Sequence, residues 1–116
     1  MNTMEQTLLQ IISAVGIARS NYIEAIKAAQ KGDFESAYKL CQEAKEVFIQ
    51  GHEAHATLLT KEANGERVDG GMLLIHAEDQ LMSAEDFGIL AEEFITTLKQ
   101  IYDLKHQIGE NAHETK

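Results

Sequence analysis

Five histidines, a single cysteine and a set of acidic side chains are the groups in this chain best suited to chemistry. Of the histidines, His76 has the most informative neighbours. It sits in Leu73-Leu74-Ile75-His76-Ala77-Glu78-Asp79-Gln80-Leu81-Met82, behind an apolar run near the start of a helical segment. Asp79 at i+3 and Gln80 at i+4 share its face on a helix. An unperturbed imidazole has a pKa of about 6.5, so it is mostly neutral at cell pH with one ring nitrogen free to attack. Gln80 could hydrogen-bond the other nitrogen and so select the free one without adding charge. That is the chemistry of a nucleophilic imidazole. A histidine satisfied inside a helix interface fits the same spacing.

Asp79 falls on an apolar stripe, with Met72, Ile75 and Met82 as neighbours. A carboxylate without partners in such a seam is costly to ionise. It must be paired with a cation, bound to a metal, protonated or exposed by a gap, unless it is a stripe defect facing water. His52 and His55 stand three apart, close enough to share a metal but too few to complete a site. His55 is expected to line the same groove as His76. His106 and His113, near the end of the chain, read as solvated surface groups. No His-Glu-x-x-His motif, cysteine pair, calcium loop, phosphate-binding glycine loop or Gly-x-Ser-x-Gly elbow is present.

The elements that must position these groups follow from period and punctuation. Apolar residues recur at Met4, Leu8, Ile11, Val15, Ala18, Tyr22, Ile26 and Ala29, mostly three or four apart, as on one helical face. Lys31-Gly32 ends that helix and Asp33 stands where an N-cap belongs. The second stripe runs Phe34, Ala37, Cys41, Ala44, Phe48, Gly51, His55 and Leu58, ending at Asn64-Gly65, with a polar loop to Gly70-Gly71. The third begins near Met72 and follows Ile75, Asp79, Met82, Ile89 or Leu90, Phe94, Leu98, Ile101 and Ile108. Ser83 to Asp86 weakens it, so either one flawed helix or two in series is expected. Helices of about 30 residues are about 45 Å long, which predicts an elongated, antiparallel three-helix up-down bundle. Residues 1–108 form one domain and 109–116 a frayed tail.

Length and composition agree. A chain of 116 residues is one domain's worth, and 44% hydrophobic residues can furnish a core. The absence of proline favours long helices over a turn-rich sheet fold. A net charge of −9 argues against nucleic acid and suits a macromolecular partner with a basic patch. Cys41 alone makes no internal disulfide and reads as a small core residue. No apolar run approaches the ~20 residues of a membrane span, and no leader pattern opens the chain, so a cytoplasmic location is expected.

Set in order, several short runs resemble the lactose/cellobiose-type enzyme IIA components of the bacterial sugar phosphotransferase system. They are Gly16-Ile17-Ala18-Arg19-Ser20, Glu24-Ala25, Lys27-Ala28-Ala29, Gly32-Asp33-Phe34, Leu58-Leu59, Glu62-Ala63, Gly65-Glu66 and, above all, His76 through Met82. The resemblance covers nearly the whole chain. It implies an all-α protomer assembling as a trimer, a nine-helix bundle. It implies that His76 accepts a phosphoryl group from phospho-HPr and passes it to a cysteine of the cognate enzyme IIB. The membrane enzyme IIC then takes up a disaccharide of the lactose, cellobiose or chitobiose class. Gln80 belongs to the implied pocket. Asp79 matches the aspartate that meets its two symmetry mates around a divalent cation, and carboxylate oxygens suit a hard ion such as Mg²⁺. The chain departs from the family at His55-Ala56, where members often carry Gln-Thr, and in its acidic 83–88 stretch. The competing reading is a non-catalytic helical interaction module with a structural histidine.

Overall fold

The computed structural model describes residues 3–114, with side chains described through residue 110. Three helices follow one another: α1 (Thr3–Gln30), α2 (Phe34–Ala63) and α3 (Gly71–Glu114). Among the described residues there is no strand. The radius of gyration is 19.6 Å and the extents are 73 × 24 × 20 Å. A compact chain of similar length would have a radius near 13 Å, so the expected elongation is realised.

The helix ends form where the sequence places them. Gly32 adopts a φ of 83°, its amide donating to the Ala29 carbonyl at 3.0 Å. The Asp33 amide reaches the Ala28 carbonyl at 2.9 Å, completing a left-handed glycine cap on α1. Asp33 then caps α2, its carboxylate accepting from the Ser36 amide at 3.2 Å. That hydrogen bonding holds the exposed Asp33 carboxyl below its usual range. Gly65, with a φ of 85°, ends α2 in the same way through Glu62 and Lys61.

The stripes read for α1 and α2 face inward. Leu8, Ile11, Val15, Ala18, Tyr22 and Ala29 are buried, as are Phe34, Ala37, Cys41, Ala44, Gly51 and Leu58. The third stripe requires a correction. The face of α3 that packs on α1 and α2 is Ala77, Leu81, Ala84, Gly88, Ala91 and Ile95. The larger residues picked out by periodicity lie on the outer side, with Met72 84%, Ile75 67% and Met82 64% exposed. The reason is that α3 is apolar on two faces. Its inner face is mostly alanine and glycine, which bury little area each but allow a close approach of helices, and large residues dominate any reading by hydrophobicity.

α3 is one helix, not two. The 83–88 stretch does not break it because Ala84 and Gly88 continue the inner face while Glu85 and Asp86 point outward. At 44 residues α3 is about 66 Å long and overhangs its neighbours. Tyr102 packs edge-on against Phe34 with ring centroids 5.3 Å apart, beside the α1–α2 turn. Beyond it the helical backbone continues through Glu114, into the 109–116 segment expected to fray. Gly109 is that segment's sole strong helix breaker, and one glycine costs a helix only about 1 kcal/mol. Thr115 and Lys116 lie outside the described residues.

Gly88 is where α3 accommodates the buried ring of Tyr22: an added Cβ would stand 2.8 Å from Cζ and from the hydroxyl. Gly88→Ala is therefore expected to destabilise the fold by about 1–3 kcal/mol despite alanine's better helix propensity. Gly109→Ala, with open space around it, should not. Urea unfolding of the two variants checks the contrast, and equal stability would show that Tyr22 repacks freely.

Candidate functional site

The amino-terminal end of α3 is set by two glycines. A Cβ on Gly70 would clash with Leu74 Cβ at 2.7 Å and Leu8 Cδ1 at 2.9 Å, so the loop enters pressed against α1. Gly71 follows with a φ of 56°, a left-handed conformation that side chains resist. The Leu74 amide donates to the Gly70 carbonyl at 3.2 Å, and the helix is under way. Leu73 and Leu74 are half-buried and Ala77 is fully buried, which fixes which side of the second turn faces in.

His76 consequently projects to solvent. Among the described residues its side chain makes no hydrogen bond or ion pair, leaving both ring nitrogens approachable. Gln80 stands one turn on and is half-buried, and Asp79 is exposed. The bond from Gln80 to the imidazole that their spacing allows is not made within this protomer. The apolar side chains flanking His76 in sequence are divided: Leu81 turns inward, Leu73 and Leu74 are half-buried, and Ile75 and Met82 stay outside. Asp79 and Asp86 lie one heptad apart in a shallow outer groove walled by Ile26, Met82, Phe87, Leu90 and Phe94. Arg19 of α1 stands over the Phe87 ring, 5.9 Å from its centre. Glu78, Asp79, Glu85, Asp86, Glu92 and Glu93 make this half of α3 strongly acidic, with no lysine or arginine between residues 71 and 98.

His55 has a partner that the sequence reading missed. Its Nε2 lies 2.8 Å from Oε2 of Glu78, joining α2 to α3. Two residues of helix turn Glu78 about 200° from His76, so His55 meets α3 on a different side from the acceptor candidate. The groove expected to hold both histidines is thus not formed within one protomer. The signal for Glu78 was its i+2 spacing from His76, readable only once the inner face of α3 is known.

The other histidines behave as surface groups. His52 is exposed beside Phe48, with ring centroids 6.1 Å apart. His106, also exposed, has Nδ1 3.0 Å from the Tyr102 carbonyl. The side chain of His113 lies outside the described residues. Among the described residues no group of three or more histidine, cysteine, aspartate or glutamate side chains within the protomer could hold a metal ion. Asp79 and Asp86, the two carboxylates lining the outer groove, fall short of such a group. No helix among the described residues is long and apolar enough to cross a membrane.

Comparison with known proteins covers most of the chain. Residues 6–99 match the model of the family described as the lactose/cellobiose-specific IIA subunit of the phosphotransferase system. A lichenan-specific phosphotransferase enzyme IIA component of Bacillus subtilis is 40% identical over 98 residues, covering 84% of this chain and 89% of the relative. A lactose-specific EIIA component of Streptococcus mutans is 36% identical over 104 residues, covering 88% of this chain and 96% of the relative. The crystal structure of a cellobiose-specific enzyme IIA from Bacillus anthracis superposes with a TM-score of 0.86 at 38% identity. It covers 89% of this chain and 94% of that one.

Cys41, the other nucleophile, lies under a groove between α2 and α3 rimmed by the Lys45–Glu92 ion pair. Burial pushes its thiol up, the Glu92 charge adds to this, and Lys45 opposes it. Since the thiolate is the reactive form, Cys41 should resist a maleimide at pH 7 by at least about tenfold relative to the urea-unfolded chain. Equal rates, followed by mass spectrometry, would show an accessible and activated thiol.

Proposed function

We propose a function for this chain from one premise: it belongs to the lactose/cellobiose-specific IIA family of the phosphotransferase system. In this proposal His76 is the phosphoryl carrier between phospho-HPr and the cognate enzyme IIB. The observation that supports it is the exposed, unengaged imidazole on a turn anchored from behind by Ala77 and Leu81. A carrier must be reached in turn by two different proteins, so a histidine enclosed by its own protomer could not serve.

The chemistry needs little else from this chain. A lone pair on one ring nitrogen of His76 attacks phosphorus as the nitrogen–phosphorus bond to the donor histidine of HPr breaks. The phosphoryl group then leaves to a cysteine sulfur of enzyme IIB, and the imidazole is restored. Such transfer depends on positioning and on stabilising charge over the equatorial oxygens, which an acidic protomer does poorly alone. Partner side chains must supply the cationic groups. The negative field of α3 steers basic partner surfaces toward the site. Gln80, one turn from His76, is placed to steady the ring once a partner docks. The cargo is a sugar of the disaccharide class, and the carrier need not touch it.

Assembly enters the same proposal. Three copies packing the outer faces of α3 would cover Met72, Ile75, Met82, Leu90 and Phe94 and bring three Asp79 carboxylates together. Two unit charges 4 Å apart repel by roughly 4 kcal/mol even at an effective dielectric of 20, so bare convergence is untenable. Oxygen donors of this kind suit a hard divalent ion such as Mg²⁺ with some retained waters, and shared protons are the other remedy. The ion's role would be structural.

Two outcomes follow. With phosphoenolpyruvate, enzyme I and HPr, the chain should gain one acid-labile, base-stable phosphoryl group by intact mass. His76→Ala should fold normally, by circular dichroism, and gain none. Phosphorylation persisting on His52 or His55 would refute the assignment, and an unmodified wild-type chain would favour a plain interaction module.

Asp79→Leu should keep the trimer and abolish any dependence of Tm on chelator or Mg²⁺, because an apolar replacement of a buried ionic cluster is often neutral or stabilising. A wild-type trimer whose Tm ignores both additives would rule out the ion. Monomers from Asp79→Leu in sedimentation would rule out the axial placement.

A further inference from the structure

We infer that the hydrogen bond between His55 and Glu78 aims the acceptor, making these two side chains positioning residues for phosphoryl transfer at His76. The inference rests on the reading of His76 as carrier and adds to it how the imidazole is oriented.

Within the core, the turn that bears His76 is held by apolar packing. Its fully buried side chain is Ala77, packed in the cluster of Leu8, Ile11, Leu58 and Leu81. Apolar packing is non-directional, so it limits a large roll of the helix but sets the fine angle of the turn less sharply than a hydrogen bond does. The turn before it begins at Gly70-Gly71, with Leu73 and Leu74 half-buried against the same cluster and Met72 and Ile75 exposed. A hydrogen bond does impose direction. The 2.8 Å contact joins a Glu78 side chain 42% exposed to a His55 side chain only 15% exposed. The mostly buried ring on α2 is therefore a fixed post for the carboxylate on α3.

Geometry then links the bond to the acceptor. With Glu78 held against α2, the helical repeat turns His76 about 200° away, toward the open side. The Lys45–Glu92 pair also ties α2 to α3, but it lies fourteen residues further along α3, or about 21 Å. It cannot set the roll of the acceptor turn with comparable leverage. The Glu78 carboxylate accepts from the Nε2–H of His55, a proton present in the Nε2–H tautomer and in the imidazolium alike.

The test is the single-turnover rate of transfer from phospho-HPr, with assembly state and Tm followed in parallel. Glu78→Ala should slow transfer by about tenfold or more, since small misplacements of a reacting group are costly. Glu78→Gln, whose side-chain carbonyl still accepts from Nε2–H, should recover most of the rate. In a His55→Ala background, Glu78→Ala should add no further slowing, because both act through one bond. Wild-type rates in Glu78→Ala, no recovery with glutamine, or penalties that add in the double variant would each overturn the inference. A loss of Tm without loss of rate would overturn it too. Should Glu78→Ala not fold, His55→Gln, which retains a donor, must transfer faster than His55→Ala. If the wild-type chain takes no phosphoryl group on His76, the carrier reading itself fails and this inference with it. If the wild type is labelled and Glu78→Ala is unimpaired, only the inference fails.

Discussion

The closeness with which α3 lies against α1 and α2 governs where its other side chains go. Ala77, Ala84, Gly88 and Ala91 keep most of the inner face small, and Gly88 admits the ring of Tyr22 where even a methyl group would collide. A helix seated this closely cannot roll far without driving Leu81 or Ile95 out of the core. Its large apolar side chains are thereby forced outward, with Asp79 and Asp86 among them. Ala77 and Leu81 pin the turn from behind, and His76 is left facing solvent.

A helix with two apolar faces answers to two different packing problems. The inner face gains its stability from contact area summed over many small side chains, each worth little. The outer face leaves Met72, Ile75, Met82, Leu90 and Phe94 each more than half exposed in the protomer. Acidic side chains interrupt and flank that surface, so covering it with a like surface brings like charges together. Apolar burial and charge repulsion therefore oppose one another along α3, and the carboxylate on the stripe is where the opposition is sharpest.

Much of this was legible in the sequence, and the boundary of what was legible has a physical origin. Gly32, Asp33 and Gly65 marked helix ends because a left-handed φ and an N-cap carboxylate are local requirements, satisfied within a few residues. The inward stripes of α1 and α2 were legible because each of these helices has one dominant apolar face. The inner face of α3 was not, since alanine and glycine carry little hydrophobic signal even where their smallness is what the packing needs. Ser83 to Asp86 suggested a break for the same reason: the eye follows the large residues, while the helix is held by Ala84 and Gly88. His76, Asp79 and Gln80 could be placed on one side of a helix by spacing alone. The contact of His55 with Glu78 could not, because it depends on how α2 and α3 are rotated against each other.

The relative directions of Asp79 and His76 carry the last step. Three residues along a helix turn the chain by about 300°, so the two side chains leave α3 about 60° apart and roughly 4.5 Å apart along the axis. If Asp79 marks the middle of a surface that packs against other copies, His76 stands at its edge. An edge is where a carrier residue can be shielded on one side and open on the other. In such an assembly, neighbouring apolar side chains would limit water there while a donor and an acceptor protein could still reach the same nitrogen in turn. Moving the histidine one position along the chain would turn it by about 100°, either into the core in place of Ala77 or onto the outer stripe in place of Ile75. Of these three positions, residue 76 alone neither replaces a buried side chain of α3 nor joins its outer apolar stripe.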